Sequence, residues 1–265
     1  MKKKNKLIVI LSIIIVILVV AVIILFAKKG RPISSNGELV KELYSYIGNE
    51  NLEKCGGLVF YDKEKVDYDK LSEETKICLA YIKVNDDKRE ELKIDKGKQK
   101  NLCSLKDGLV FATDNYEDKI CTLSKTKSDL ISEKYKELFG KNIEDYKNFQ
   151  LDNVSICYYD EDSYYCGLSE SYTYVFGAEP HTYRAIRSSF KKGDEIIIYD
   201  YFLRTINNDC FTNYVSDDKN DVCSKALENK KDVNYKFLKK YGTKYKHVFK
   251  EDNDKYYWVS SEIMD

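Results

Sequence analysis

From Leu7 to Ala27 the chain reads LIVILSIIIVILVVAVIILFA, an apolar run whose only hydroxyl is Ser12. Lipid offers a backbone no hydrogen-bonding partner, so an isolated run of this kind satisfies its own N–H and C=O groups as a helix. At 1.5 Å rise per residue it reaches about 30 Å, the thickness of a bilayer's hydrocarbon. A cleaved signal peptide is the competing reading, but its apolar region spans only about 7–15 residues and ends at a small-x-small site. Here the run closes on Leu25-Phe26-Ala27-Lys28-Lys29, which offers no such site, and the first cysteine, Cys55, is too distant for lipid attachment. The sequence therefore predicts a single-pass signal-anchor, held in the lipid bilayer by Leu7–Ala27. Lys2, Lys3, Lys4 and Lys6 precede the run, and Lys28, Lys29 and Arg31 follow it. The balance biases the N-terminus toward the cytoplasm and the C-terminal body toward the extracytoplasmic side.

Charge narrows what that body binds. Lys+Arg and Asp+Glu both number 44. The seven basic residues through Arg31 have no acidic companions, so 37 basic residues face 44 acidic ones in the remainder. An acidic body argues against a nucleic-acid partner, which requires a basic surface. With only two prolines and 12 glycines, the body is not a low-complexity stalk.

An even set of eight cysteines behind an export signal implies disulfides. Their spacing includes no Cys-x-x-Cys, which argues against a zinc site, and no metal or cofactor is expected. One pair follows from strand geometry. Folding residues 154–166 as a hairpin with Asp160 opposite Ser163 sets Tyr159 against Tyr164, Tyr158 against Tyr165 and Cys157 against Cys166. Directly opposed residues in an antiparallel pair bring Cβ atoms close enough for a bridge. Sequence neighbourhood then suggests Cys210–Cys223 across a polar loop, Cys55–Cys78 and Cys103–Cys121. Eight reduced thiols in a cytoplasmic domain are the alternative.

The rest of the chain reads as α+β: helices packed on a curved antiparallel sheet, with cystatin-like or NTF2-like folds as the nearest analogy. Three segments are expected: 1–34 as cytoplasmic stub, anchor and juxtamembrane linker, 35–125 as a helix-rich subdomain, and 126–265 as an antiparallel-sheet domain. Ser35 begins a capping box ahead of Leu39, Leu43 and Ile47, and Ser72 caps a second helix. Leu58–Tyr61 reads as a short strand and residues 85–106 as loop. Ser128-Asp129 opens a helix that Gly140 stops. Residues 183–190 and 195–206 form a hairpin whose second strand is apolar on both faces, the mark of a strand covered twice. Tyr245–Lys250 and Lys255–Ser261 close the chain as a hairpin that places His247 opposite Trp258.

Lys134-Tyr135-Lys136-Glu137-Leu138-Phe139-Gly140, Tyr245–Lys250 and Tyr256-Tyr257-Trp258 resemble segments of uncharacterised, membrane-anchored extracytoplasmic proteins of bacteria. The resemblance covers about the last half of the chain, brings no named family or activity, and transfers no functional residue.

The 23 tyrosines are the one suggestive excess. Tyr158, Tyr159, Tyr164 and Tyr165 populate both faces of one hairpin, and tyrosine favours half-wet interfaces; packing within the sheet is the duller account. The expected function is a non-catalytic, membrane-tethered module binding a protein, peptide or cell-envelope component through that surface. The alternatives are an envelope hydrolase using His181 with Glu179 as an acid–base pair, and a small-molecule-binding domain.

Overall fold

The computed structural model describes residues 14–20, 30–48, 54–95, 102–106, 108–113, 120–170, 180–211, 219–228 and 232–264. Residues 14–20 are helical, with every side chain exposed. The remainder of the expected Leu7–Ala27 anchor lies outside the described residues, and no helix among those described is long and apolar enough to cross a membrane.

In chain order the strands are β1 (Arg31–Ile33), β2 (Val66–Asp67), β3 (Glu90–Asp95), β4 (Leu102–Lys106), β5 (Leu109–Ala112), β6 (Ile120–Lys127) and β7 (Phe149–Gln150). They continue as β8 (Ser155–Asp160), β9 (Ser163–Leu168), β10 (His181–Lys192), β11 (Glu195–Ile206), β12 (Asp209–Phe211), β13 (Thr243–Asp252) and β14 (Lys255–Met264). The helices are α1 (Glu38–Tyr46), α2 (Glu73–Tyr81), α3 (Ser128–Phe139), α4 (Asp221–Glu228) and α5 (Tyr235–Tyr241). The class is α+β with antiparallel sheets.

Two larger sheets form where one was expected. The first has seven strands in the order β1-β10-β11-β13-β14-β2, with β12 beside β11. The second has the order β3-β6-β9-β8-β7, and β4 pairs with β5 in a separate ribbon. Position 125 falls inside β6, and residues from both sides of it share one core. Arg31–Ile33 is not linker: it pairs with Lys191, Phe190 and Ser189 as an edge strand.

The main core lies between the two sheets and is filled by α1, α2 and α3. Ile77 and Tyr81 from α2 and Ile131, Tyr135 and Leu138 from α3 meet Ile196, Ile198, Phe202 and Phe249 of the first sheet and Phe149 and Tyr164 of the second. Strand β11 is covered on both faces, as its sequence implied. Tyr201 and Leu203 on its reverse pack under α4 and α5 with Phe237 and Leu238. The reverse of the second sheet packs Cys121 and Leu123 against Cys103 and Phe111 of the β4–β5 ribbon.

Four disulfides pin these layers: Cys55–Cys78, Cys103–Cys121, Cys157–Cys166 and Cys210–Cys223. They are the pairs named from spacing. Cys157 stands directly opposite Cys166, Tyr158 opposite Tyr165 and Tyr159 opposite Tyr164. In the chain-entropy account each closed loop stabilises by about 3 kcal/mol. Four such bridges fit an oxidising, extracytoplasmic location.

Local structure departs from expectation at three places. Leu58–Tyr61 belongs to a 3-10 helix, Lys54–Tyr61, entered through Cys55 at φ 61°. Within 85–106 lie β3 and β4; β3 alternates exposed Glu91 and Lys93 with half-buried Leu92 and Ile94, as a charged edge strand does. Ser35 caps nothing: its hydroxyl meets that of Ser189 at 3.1 Å, and Gly37 takes the N-cap position.

Candidate functional site

The tyrosine hairpin is packed at Tyr164 and half-buried at Tyr158, Tyr159 and Tyr165. Tyr164 is fully buried and donates to the Lys147 carbonyl at 3.0 Å. Tyr159 stacks on Tyr146 with centroids 4.6 Å apart, and Tyr158 meets Phe111 edge-on at 5.3 Å. Tyr165 leans on the same minor core as Phe111. Opposed aromatics on a sheet lose water to one another before a partner arrives. His181 is exposed at the start of β10, opposite Thr205; Glu179 lies outside the described residues.

His247 is not opposite Trp258. The turn is two residues, Asn253-Asp254, both at positive φ (51° and 62°), and Asp252 pairs with Lys255. That shift places Phe249 opposite Trp258. A bulge at Val259 then sets His247 opposite Ser261. Asparagine and aspartate tolerate the left-handed backbone of such a turn, a signal present in the sequence.

The register assembles a polar chain in the middle of the sheet. His247 Nδ1 lies 2.7 Å from Ser261 Oγ, and Nε2 lies 3.2 Å from Asp200 Oδ1. Trp258 Nε1 donates to Ser261 Oγ at 3.0 Å. The indole N–H only donates, so Ser261 Oγ accepts from Trp258, and the imidazole of His247 bridges Ser261 to Asp200. Tyr44 and Tyr61 donate to Asp200 Oδ2 at 2.6 and 2.9 Å, and Arg184 Nη1 donates to Tyr61 Oη at 2.9 Å. Burial raises both phenols well above their usual range; Asp200 adds to this in each, while Arg184 pulls the other way.

These are the residue types of a nucleophilic triad, but Asp200 and His247 are 0% exposed and Ser261 is 1% exposed. A nucleophile must reach a scissile bond and an oxyanion pocket. Here the serine is sealed between Trp258 and the sheet. The arrangement holds three strands, β11, β13 and β14, in one register.

An accessible cleft of about 540 Å³ lies at the β13–β14 turn end of the same sheet. Phe139 and Trp258 form its floor, Tyr68, Tyr257 and Val259 its walls, and Asp69, Asp252, Lys141 and Lys250 its polar edge. Each wall has a local cause. Gly140, at φ 68°, ends α3, and a Cβ there would lie 2.9 Å from the Tyr257 ring, so only glycine allows Tyr257 to lie flat across the helix end. The β14 bulge turns Val259 outward to 38% exposure. Tyr68 is held by Lys76 Nζ at 3.8 Å and Lys141 Nζ at 3.6 Å from its ring centre. Its hydroxyl donates to Tyr135, which donates to Glu73 at 2.8 Å. Burial and those two hydrogen bonds keep Tyr135 protonated far above the usual phenol range. Among the described residues no group of three His, Cys, Asp or Glu side chains is arranged to hold a metal ion.

No protein-family model matches the chain, and no curated protein or solved structure matches it either.

Proposed function

We propose that the chain is a membrane-tethered, extracytoplasmic binding module, and that the Phe139–Trp258 cleft is where a peptide or another cell-envelope component docks. The observation that carries this reading is the cleft itself: an aromatic floor with a mixed-charge rim, of a volume typical of ligand sites. Ringed or apolar groups gain by covering Tyr257 and Val259, while Asp69, Asp252 and Lys141 offer orienting contacts. The surface first expected to bind, at Tyr158–Tyr165, gives way to this one. The hydrolase alternative rests on His181 with Glu179, of which only His181 is described.

The tether is part of the proposal. A described helical turn with Ile14 to Val20 between 48% and 61% exposed is left uncovered by the other described residues, which suits lipid. Read as a single-pass anchor through Leu7–Ala27 with a cytoplasmic N-terminus, it leaves at most about 3.5 Å per residue of chain before Arg31 enters the sheet. That entry is opposite Lys191, at the β10–β11 turn. Glu251 N donates to Asp194 O at 2.7 Å, so the β13–β14 turn stands at the same end. The cleft then opens near the membrane, toward partners held at or in it.

Trp258 is the only tryptophan, so under folding conditions a change in emission on titration has its source at the cleft floor. Titrating the full chain in detergent with peptide, glycan and lipid-headgroup fractions of the envelope should give a saturable change in its emission with one class. Val259→Arg, an exposed bulge position, should abolish that change. Failure of every class, or an unaltered response in Val259→Arg, contradicts the assignment.

A further inference from the structure

A second cavity, of about 320 Å³, opens at the C-terminal end of α2. Lys54, Lys83 and Arg89 line it, with Asp86 as the one carboxylate among its lining residues. Arg89 is committed by geometry. Its Nη2 donates to the Tyr81 and Val84 carbonyls at 3.1 and 2.9 Å, capping the helix end, and its Nη1 meets Asp86 at 2.9 Å. Asp86 is 95% exposed, so this pairing is well hydrated. The guanidinium lies over the Tyr81 ring at 4.6 Å, and its Nε is buried with no partner among the described residues.

Lys83 is the unusual member. It is half-buried, and the Ser45 carbonyl takes one of its three protons. No carboxylate among the described residues forms an ion pair with it. Burial, with the Arg184 charge added, pushes its amine down to about 8. A desolvated ammonium without a counter-charge is costly, and the cost falls when an anion arrives.

We propose that this cavity is an anion site, in which Lys83, Lys54 and the Arg89 guanidinium hold a small oxyanion of the phosphate or carboxylate class. Among the described lining residues three cations stand against one solvated carboxylate. Arg89, fixed by the helix carbonyls, supplies a preorganised charge, and Lys54 and Lys83 supply ammonium donors, that of Lys83 with two protons beyond the one Ser45 takes.

The test uses the full chain in detergent at neutral pH, with inorganic phosphate and acetate as probes and chloride as the ionic-strength control. Phosphate or acetate should raise the urea midpoint saturably, and Lys83→Met should weaken that response at least tenfold in concentration. Without the probe, Lys83→Met should raise the midpoint, because it removes an unpaired charge. Lys54→Met should weaken the response without altering the unliganded midpoint. If Lys83→Met lowers stability equally with and without the probe, Lys83 is only a cap on α1 and the site is refuted. An equal response in chloride, or an undiminished one in both variants, refutes it as well.

Discussion

Asp200 shows how much one residue sets. It interrupts an apolar strand, Ile196-Ile197-Ile198-Tyr199-Asp200, and is 0% exposed. A buried carboxylate survives only if its acceptor sites are filled, and here two phenols and an imidazole fill them. The consequence is measurable in alkali. Tyr44, Tyr61 and Tyr245 are held protonated above their usual range, by burial first. In the unfolded chain they ionise near about 10. Above that pH the unfolded state binds fewer protons than the folded one, so stability falls as pH rises. Lys83 has the opposite sign: between about 8 and its unfolded value the unfolded chain binds the extra proton, and stability rises there. Tyrosinate absorbance should therefore rise in two stages, with exposed phenols titrating near about 10 and the buried set ionising only as Trp258 emission reports unfolding. One reversible titration of every tyrosine in a folded chain would contradict the assignment. The sequence displayed the odd aspartate, but not the partners, which come from α1, the 3-10 helix and β13.

At the scale of elements, what was legible was local. The β8–β9 hairpin could be read because two residues of turn chemistry sit between symmetric Tyr-Tyr and Cys pairs, and a register slip would have separated the cysteines. The Ser72 cap of α2 and the Gly140 stop of α3 were likewise written in single residues. The β14 bulge was not, because Val259-Ser260-Ser261 alternates as smoothly without it. Nor was β3, whose charges look like loop until its partner β6 is known. The cleft walls were hidden for the same reason: Tyr68, Phe139 and Trp258 meet only once three distant elements pack. One element-level contact is tight enough to test. A Cβ on Gly167 would lie 2.4 Å from Leu123 Cδ2 and 2.9 Å from Phe111 Cδ1, both buried between β9 and the β4–β5 ribbon. Gly167→Ala should lower stability by about 1–3 kcal/mol through overpacking, with all four disulfides kept. A variant whose urea midpoint equals the parent's would show that the ribbon is not packed there.

The whole molecule is a stack: α4 and α5, the seven-stranded sheet, three helices, the second sheet and the β4–β5 ribbon, each layer pinned by covalent or buried polar links. Every described cysteine is bridged. The disulfides bear on location as well as stability, because a reducing cytoplasm would leave these thiols free. The proposed topology therefore requires the body to be oxidised in the cell. The direct measurement is alkylation of the denatured protein from acid-quenched cells with a maleimide mass tag, with and without reduction, denaturation being needed because the cysteines are buried. No cysteine should take the tag without reduction, and all eight should take it afterwards. Tagging of the unreduced, denatured protein would overturn the oxidised, extracytoplasmic body.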